Sequence, residues 1–243
     1  MNFTHVRGWM VRSRIEGLVA LVAGSDGGSA IAQAVARCWQ ANGGTASLLG
    51  TEDGGAVASA VDAVAARHGR LDVMVNAADV RAPAMLETAD EQAWSRCFQD
   101  SVQHALVLAR ACLPHLRRSL APAIVQLTSL AGESGAAGSG AFGPSAGALI
   151  TLTRQMALEW APDGIRVNAV NPGFVAAGGS DEADRARKVP MRRLAQPAEI
   201  ANLVVYLASP AASFITAQVF NCDGGLSQSL YAAPMMRPDR ETA

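Results

Sequence analysis

The chain has 243 residues, a formal net charge of −1, 50% hydrophobic residues and 17% charged residues. That length and composition fit one globular domain with a full core, and the near-neutral balance leaves no footprint for nucleic acid or an acidic surface. Of the 20 basic residues, 19 are Arg and one is Lys188, and the only tyrosines are Tyr206 and Tyr231, so chemistry that needs a Tyr–Lys pair has few residues to draw on.

In chain order, short apolar runs alternate with longer segments of helical period. Residues 17–23 (GLVALVA) read as a buried strand, followed by a Gly-rich turn and a helix over 30–40. Residues 45–50 form a second strand, the Ala-rich stretch 55–68 a helix, and 71–76 (LDVMVN) a third strand. A long helix is predicted over 88–118, a strand over 123–127 (AIVQL) and a helix over 142–160. A strand over 165–170 (IRVNAV), a helix over 197–207 and a last strand over 218–221 complete the series. Continuous apolar runs mean strands covered on both faces, hence a parallel sheet between helix layers. The alternation predicts a doubly wound α/β sheet. The expected organisation is an N-terminal extension over 1–16, one domain over 17–226 and a tail over 227–243.

The cysteines (Cys38, Cys97, Cys112, Cys222) lack metal-ligand spacing and read as reduced thiols of a cytoplasmic protein, with no metal site expected. The N-terminal stretch lacks the apolar core of a signal peptide, and no run reaches the length of a membrane span.

Five blocks carry a family likeness: 71–78 (LDVMVNAA), 94–118, 124–132 (IVQLTSLAG), 151–173 (TLTRQMALEWAPDGIRVNAVNPG) and 193–225 (RLAQPAEIANLVVYLASPAASFITAQVFNCDGG). With them the chain resembles the short-chain dehydrogenase/reductase (SDR) family over about 17–225. The resemblance implies a Rossmann-like fold and hydride transfer between NAD(P) and an alcohol or carbonyl. In that family a Tyr is the acid/base, and a Lys four residues on lowers its pKa and holds the nicotinamide ribose. A Ser thirteen residues before the Tyr positions the substrate oxygen, and an upstream Asn holds a relay water. A phenol near pKa ~10 needs such a cation to act as a base at neutral pH.

Carried onto this chain, the Ser position is Ser129, the Tyr position is Phe142, the Lys position is Ala146 and the Asn position is Ser101. Three of the four groups are replaced, and no catalytic residue is expected among them. The phosphate loop between the first strand and helix retains Gly24 and Gly28, but Asp26 brings a negative charge and Ala30 stands at the last glycine position. On this reading the loop is vestigial: the chain binds no dinucleotide of its own, and NAD resides on a partner. The NNAG motif that steadies the family's central strand reads Asn76-Ala77-Ala78-Asp79, and the Thr after the Pro172-Gly173 turn is Ala177. Only nineteen residues separate Thr51 from Leu71, too few for the family's helix–strand–helix. A six-stranded sheet without the third family strand, its second strand at an edge, is therefore expected.

The helices over 94–118 and 142–160 match the pair with which SDR subunits dimerise. Small residues on the second (Ala141, Gly143, Ser145, Gly147, Ala148) allow close helix approach, either to a partner or within the monomer. The expectation is a catalytically inactive SDR-like subunit. It would assemble as a dimer or tetramer with an active SDR paralogue through these helices. The family offers a concrete example in the two-subunit 2-[hydroxy(phenyl)methyl]succinyl-CoA dehydrogenase of anaerobic toluene degradation. The alternatives are a repurposed enzyme of non-redox chemistry, with His104, Ser129 and Glu133 as its acid–base set, a divergent NAD(P)-dependent oxidoreductase, and a ligand-binding homo-oligomer without turnover.

Overall fold

The computed structural model describes residues 15–24, 29–50, 54–78 and 82–229. Among them are six strands: β1 (Val19–Gly24), β2 (Thr45–Leu49), β3 (Val73–Ala77), β4 (Ala123–Leu127), β5 (Arg166–Pro172) and β6 (Val219–Cys222). They form one parallel sheet in the order β2-β1-β3-β4-β5-β6. Seven α-helices connect them: α1 (Ala30–Ala41), α2 (Gly54–His68), α3 (Glu91–Phe98), α4 (His104–Leu116), α5 (Phe142–Trp160), α6 (Glu182–Lys188) and α7 (Pro197–Ala208). The sheet is the expected one. A single helix, α2, joins β2 to β3, so β2 is an edge strand and its Leu48 is 56% exposed.

Both faces of the four central strands, β1, β3, β4 and β5, are buried, which is why those strands read as unbroken apolar runs. Along β1, Ala20 and Val22 join a cluster with Val35 and Trp39 of α1 and Val204 of α7. Val19, Leu21 and Ala23 point the other way, to Val61 of α2, Leu108 of α4 and Met156 of α5. One face thus carries α1 and α7, the other α2, α4 and α5. Asn76 on β3 donates to Gln126 Oε1 on β4 at 2.8 Å and accepts from the Ala78 amide, tying the two central strands together.

The helix expected over 88–118 is broken. Asp90 caps α3, its carboxylate accepting from the Ala93 amide at 2.7 Å, so the helix opens at Glu91. A π turn over Gln99–Gln103 then separates α3 from α4. Periodicity could not report this, because the inserted π turn leaves the apolar pattern on either side intact. Helix α6 was not expected at all. Its signal was present, with Glu182 and Asp184 in the first turn and Arg185, Arg187 and Lys188 in the last, complementing the helix dipole. Helix α7 ends on Arg166, whose guanidinium donates to the Leu207, Ala208 and Ser209 carbonyls. Burial pulls the pKa of that guanidinium down to about 10.

Candidate active-site cavity

The chain runs from β1 to the edge strand β2 and returns to place β3 on the other side of β1. In such a sheet the switch point leaves a crevice at the carboxyl ends of the strands. Here it opens into a cavity of about 830 Å³, walled by residues that follow β1, β3, β4 and β5. Its size suits a cofactor or substrate.

At the β1 end lies the N-terminus of α1. Ser29 caps it, its hydroxyl accepting from the Ala32 amide at 3.4 Å, and Ser29, Ala30 and Ile31 line the cavity. Among the described residues, the first turn carries no acidic side chain to offset the positive end of the helix dipole. A Cβ on Gly24 would stand 3.0 Å from Ala32 Cβ, so glycine lets strand and helix close together at this point. Asp26 and Gly28, the other two loop positions singled out in the sequence, lie outside the described residues.

At the end of β4, Ser129 faces the cavity, but its hydroxyl accepts from the Ala131 amide at 3.2 Å and caps a short 3₁₀ turn over Leu130–Gly132. Phe142 opens α5 and Ala146 follows one turn later; both line the cavity. Residues four apart share a helix face, so the two positions form a stacked pair on one wall. The pair carries a phenyl ring and a methyl group, with no ionisable proton and no charge. Ser101 also lines the cavity, from inside the π turn, and its hydroxyl donates to the Cys97 carbonyl at 2.6 Å. The four positions read from the sequence therefore do meet around one cavity. Among the described residues, no cluster of three or more His, Cys, Asp or Glu side chains could hold a metal.

His104 and Glu133 are not brought to the cavity with Ser129. Glu133 accepts from Asn221 Nδ2 at 2.8 Å. His104 heads α4 with its Nε2 enclosed and without a hydrogen-bond partner, and burial lowers its pKa against the opposing pull of Asp100. The small-residue stripe divides as well. Ala141, Gly143 and Ser145 are buried, and a Cβ on Gly132 would stand 2.6 Å from the Gly147 amide. The close approach that these residues permit is to the chain's own Leu130–Gly132 turn.

On the far wall the Pro172-Gly173 turn and Ala177 line the cavity as read from the sequence, whereas Phe174 and Arg185 were not foreseen there. After β5 the chain passes through Phe174 and pairs Val175 with Ala195 in a short parallel bridge. Glu182 accepts from the Ala177 and Gly178 amides at 2.9 and 2.8 Å, so the loop is pinned to α6, and these bonds hold the Glu182 carboxyl below its usual range. Arg185 of α6 lies over the Phe174 ring, 4.8 Å from its centroid, and both line the cavity.

With that geometry in hand, the comparisons decide the family. A family model described as enoyl-(acyl carrier protein) reductase matches residues 14–227. The chain belongs to the short-chain dehydrogenase/reductase family. It is 36% identical over 180 residues to the cis-4-hydroxycyclohexanecarboxylate dehydrogenase of Sinomonas cyclohexanicum, covering 71% of this SDR and 72% of the relative. It is 34% identical over 187 residues to a protein named inactive 2-(S)-hydroxypropyl-CoM dehydrogenase 2 of Xanthobacter autotrophicus, covering 72% and 81%. A solved NAD⁺-bound xylitol dehydrogenase superposes with a TM-score of 0.80 at 26% identity, covering 87% of this chain and all (100%) of that one.

The last comparison overturns one expectation. The sequence reading left this chain without a dinucleotide, on the strength of the altered glycine loop. A relative that shares the fold over 87% of this SDR is solved with NAD⁺ bound. The described residues fit such a group: the crevice is open at the switch point, Gly24 keeps β1 and α1 close, and the α1 N-terminus faces the cavity. The loop misled because glycine lettering is only one part of such a site. Strand order and helix position build the rest.

Proposed function

We propose that this SDR holds NAD(P) in its own cavity, performs no hydride transfer, and serves as the non-catalytic subunit beside an active SDR paralogue. One observation carries the reading: Phe142 and Ala146 occupy the two wall positions where the family's Tyr and Lys stand, while the cavity around them is kept. A phenyl ring cannot exchange a proton with a carbonyl oxygen, and a methyl group cannot stabilise a phenolate. The relative named as an inactive dehydrogenase supports the loss of turnover. In the assembly, Ser29 and the α1 N-terminus would hold the diphosphate, and Phe142 would pack apolar surface where the acid/base stood. The bound dinucleotide supplies hydride chemistry only where an acid/base accompanies it.

The partner surface would be the outer side of α4 and α5, where Leu158 is 73% exposed and Val107, Ala111 and Leu152 are only partly covered. The two-subunit acyl-CoA dehydrogenase named from the family resemblance is one such assembly, and a cytoplasmic setting suits it; no described helix is long and apolar enough to cross a membrane. A repurposed non-redox enzyme is disfavoured, because its acid–base set does not gather at the cavity.

The test has two arms. Titration with NADH, followed by nicotinamide fluorescence, should saturate in the micromolar range; failure to saturate with either NADH or NADPH refutes the cofactor reading. Co-expression with a neighbouring SDR gene, where the genome has one, should give a mixed oligomer on size exclusion. A chain that forms only homo-oligomers, beside a neighbour fully active without it, refutes the subunit reading.

A further inference from the structure

The walls of the cavity are made of small, hydroxyl and apolar residues with a single exception. Arg185 is the one charged side chain among the described residues that line it. The guanidinium is not consumed by the fold. Its nearest acidic partner, Asp181, is a long 3.9 Å away and 65% exposed, whereas the Arg185 side chain is only 26% exposed. Glu182, beside it, spends its carboxylate on the Ala177 and Gly178 amides. Among the described residues, the Arg185 guanidinium donates no hydrogen bond; only the backbone amide does, to the Asp181 carbonyl at 3.0 Å. The guanidinium carbon lies over the Phe174 ring, 4.8 Å from its centroid, and the N–H fork remains available to receive a carboxylate or phosphate in two parallel bonds.

The platform is itself fixed. Phe174 O accepts from the Ala195 amide, and Ala195 O accepts from the Ala176 amide, both at 2.9 Å. Phe174 follows β5, and three inter-strand steps separate β5 from β1, about 14 Å at the usual sheet spacing. The α1 N-terminus, where a dinucleotide diphosphate belongs, lies at the β1 side. The cavity therefore has two separate anion-attracting ends joined by apolar wall.

We propose that Arg185 is the specificity-determining residue of this cavity, and that the second ligand is a small organic acid whose anionic head sits on the guanidinium while its apolar body lies against Phe174, Phe142 and Leu149. This deepens the proposed function by giving the ligand class of the same cavity, but it does not depend on the heteromer or on the dinucleotide. An acid held there would report to the subunit as a bound effector, since the wall offers it no acid/base.

The experiment compares hexanoate with its neutral isostere hexanamide by calorimetric titration of the full chain, with and without NADH. Parallel titrations use Arg185→Gln, Arg185→Lys and NADH alone, and circular-dichroism melts confirm that each variant is folded. The wild type should prefer the carboxylate by about tenfold, Arg185→Gln should reduce the preference to about twofold or less, and Arg185→Lys should keep part of it. NADH affinity should be the same in all three. Equal binding of acid and amide by the wild type, absence of binding by both, or a preference that survives Arg185→Gln overturns the proposal. So does weakened NADH binding in Arg185→Gln with the acid preference intact, which would assign the guanidinium to a dinucleotide phosphate. Loss of NADH binding in every protein, with the acid preference retained, would sink the cofactor reading and leave this one standing.

Discussion

Asp72 offers the sharpest test of how the sheet is held, at the end away from the cavity. It is fully buried, just before β3. One carboxylate oxygen accepts from the Val19 amide at 2.8 Å and from Arg70 Nε at 2.7 Å; the other accepts from Arg70 Nη2 at 2.8 Å and from the Ser119 hydroxyl at 2.5 Å. The side chain thus joins the starts of β1 and β3 to the turn that leads into β4. In Asp72→Ala the Val19 N–H, itself buried, is left without a partner, which costs about 1–3 kcal/mol. The Ser119 bond adds about 1–2 kcal/mol. Arg70 is 44% exposed and returns to water, so its share is small. The sum is about 3 kcal/mol. With a urea slope of about 3 kcal/mol/M for a chain of this size, the midpoint should fall by about 1 M at unchanged slope. NADH affinity of the folded protein should not move, because the cavity lies at the opposite end of the strands. A midpoint shift below about 0.2 M would show that the network is worth no more than an exposed ion pair.

Two further outcomes are expected. Glu199 receives Arg193 in two bonds of 2.6 and 2.7 Å and the Gln196 amide at 2.8 Å, which together bring its pKa down to about 2. Its unfolded value is about 4.3, so its contribution is fully present above that pH and disappears as pH falls through about 2. Melting temperatures recorded between pH 2 and 7 should show a shallower acid slope in Glu199→Gln than in wild type, and superimposable slopes would refute the assignment. Gly132→Ala would place a Cβ 2.6 Å from the Gly147 amide nitrogen and 2.7 Å from the Ala146 carbonyl carbon, backbone on both counts. Helix α5 must shift, at a cost of about 1–3 kcal/mol, and NADH affinity should change with it, because α5 begins in the cavity wall. A melt and a titration both equal to wild type would contradict that packing.

The parts legible in the sequence were those with a local cause. The span over 142–160 and the span over 123–127 coincide with α5 and β4 because apolar period alone sets them. The six-stranded sheet followed from a length argument, since nineteen residues hold one helix and no strand. Phe142 and Ala146 were legible by their spacing of thirteen and four behind Ser129, and the structure sets both on the cavity wall. The π turn was hidden, since an extra residue per turn leaves no mark in composition. Arg185 was hidden too: a basic residue in the last turn of a short polar helix looks like a solvated face until the turn after β5 folds it over Phe174.

By itself, then, the sequence determined the order and type of the main elements, the sheet edge and the spacing of Phe142 and Ala146 behind Ser129, all of which depend on residue positions along the chain. That a cavity opens at the switch point, and that Arg185 is the charge lining it among the described residues, were decided only by tertiary structure. Those properties arise where the ends of β1, β4 and β5, distant in sequence, come together on one edge of the sheet. Ser29 and Ala30, where α1 begins, line that crevice because strand order brings the end of β1 to it.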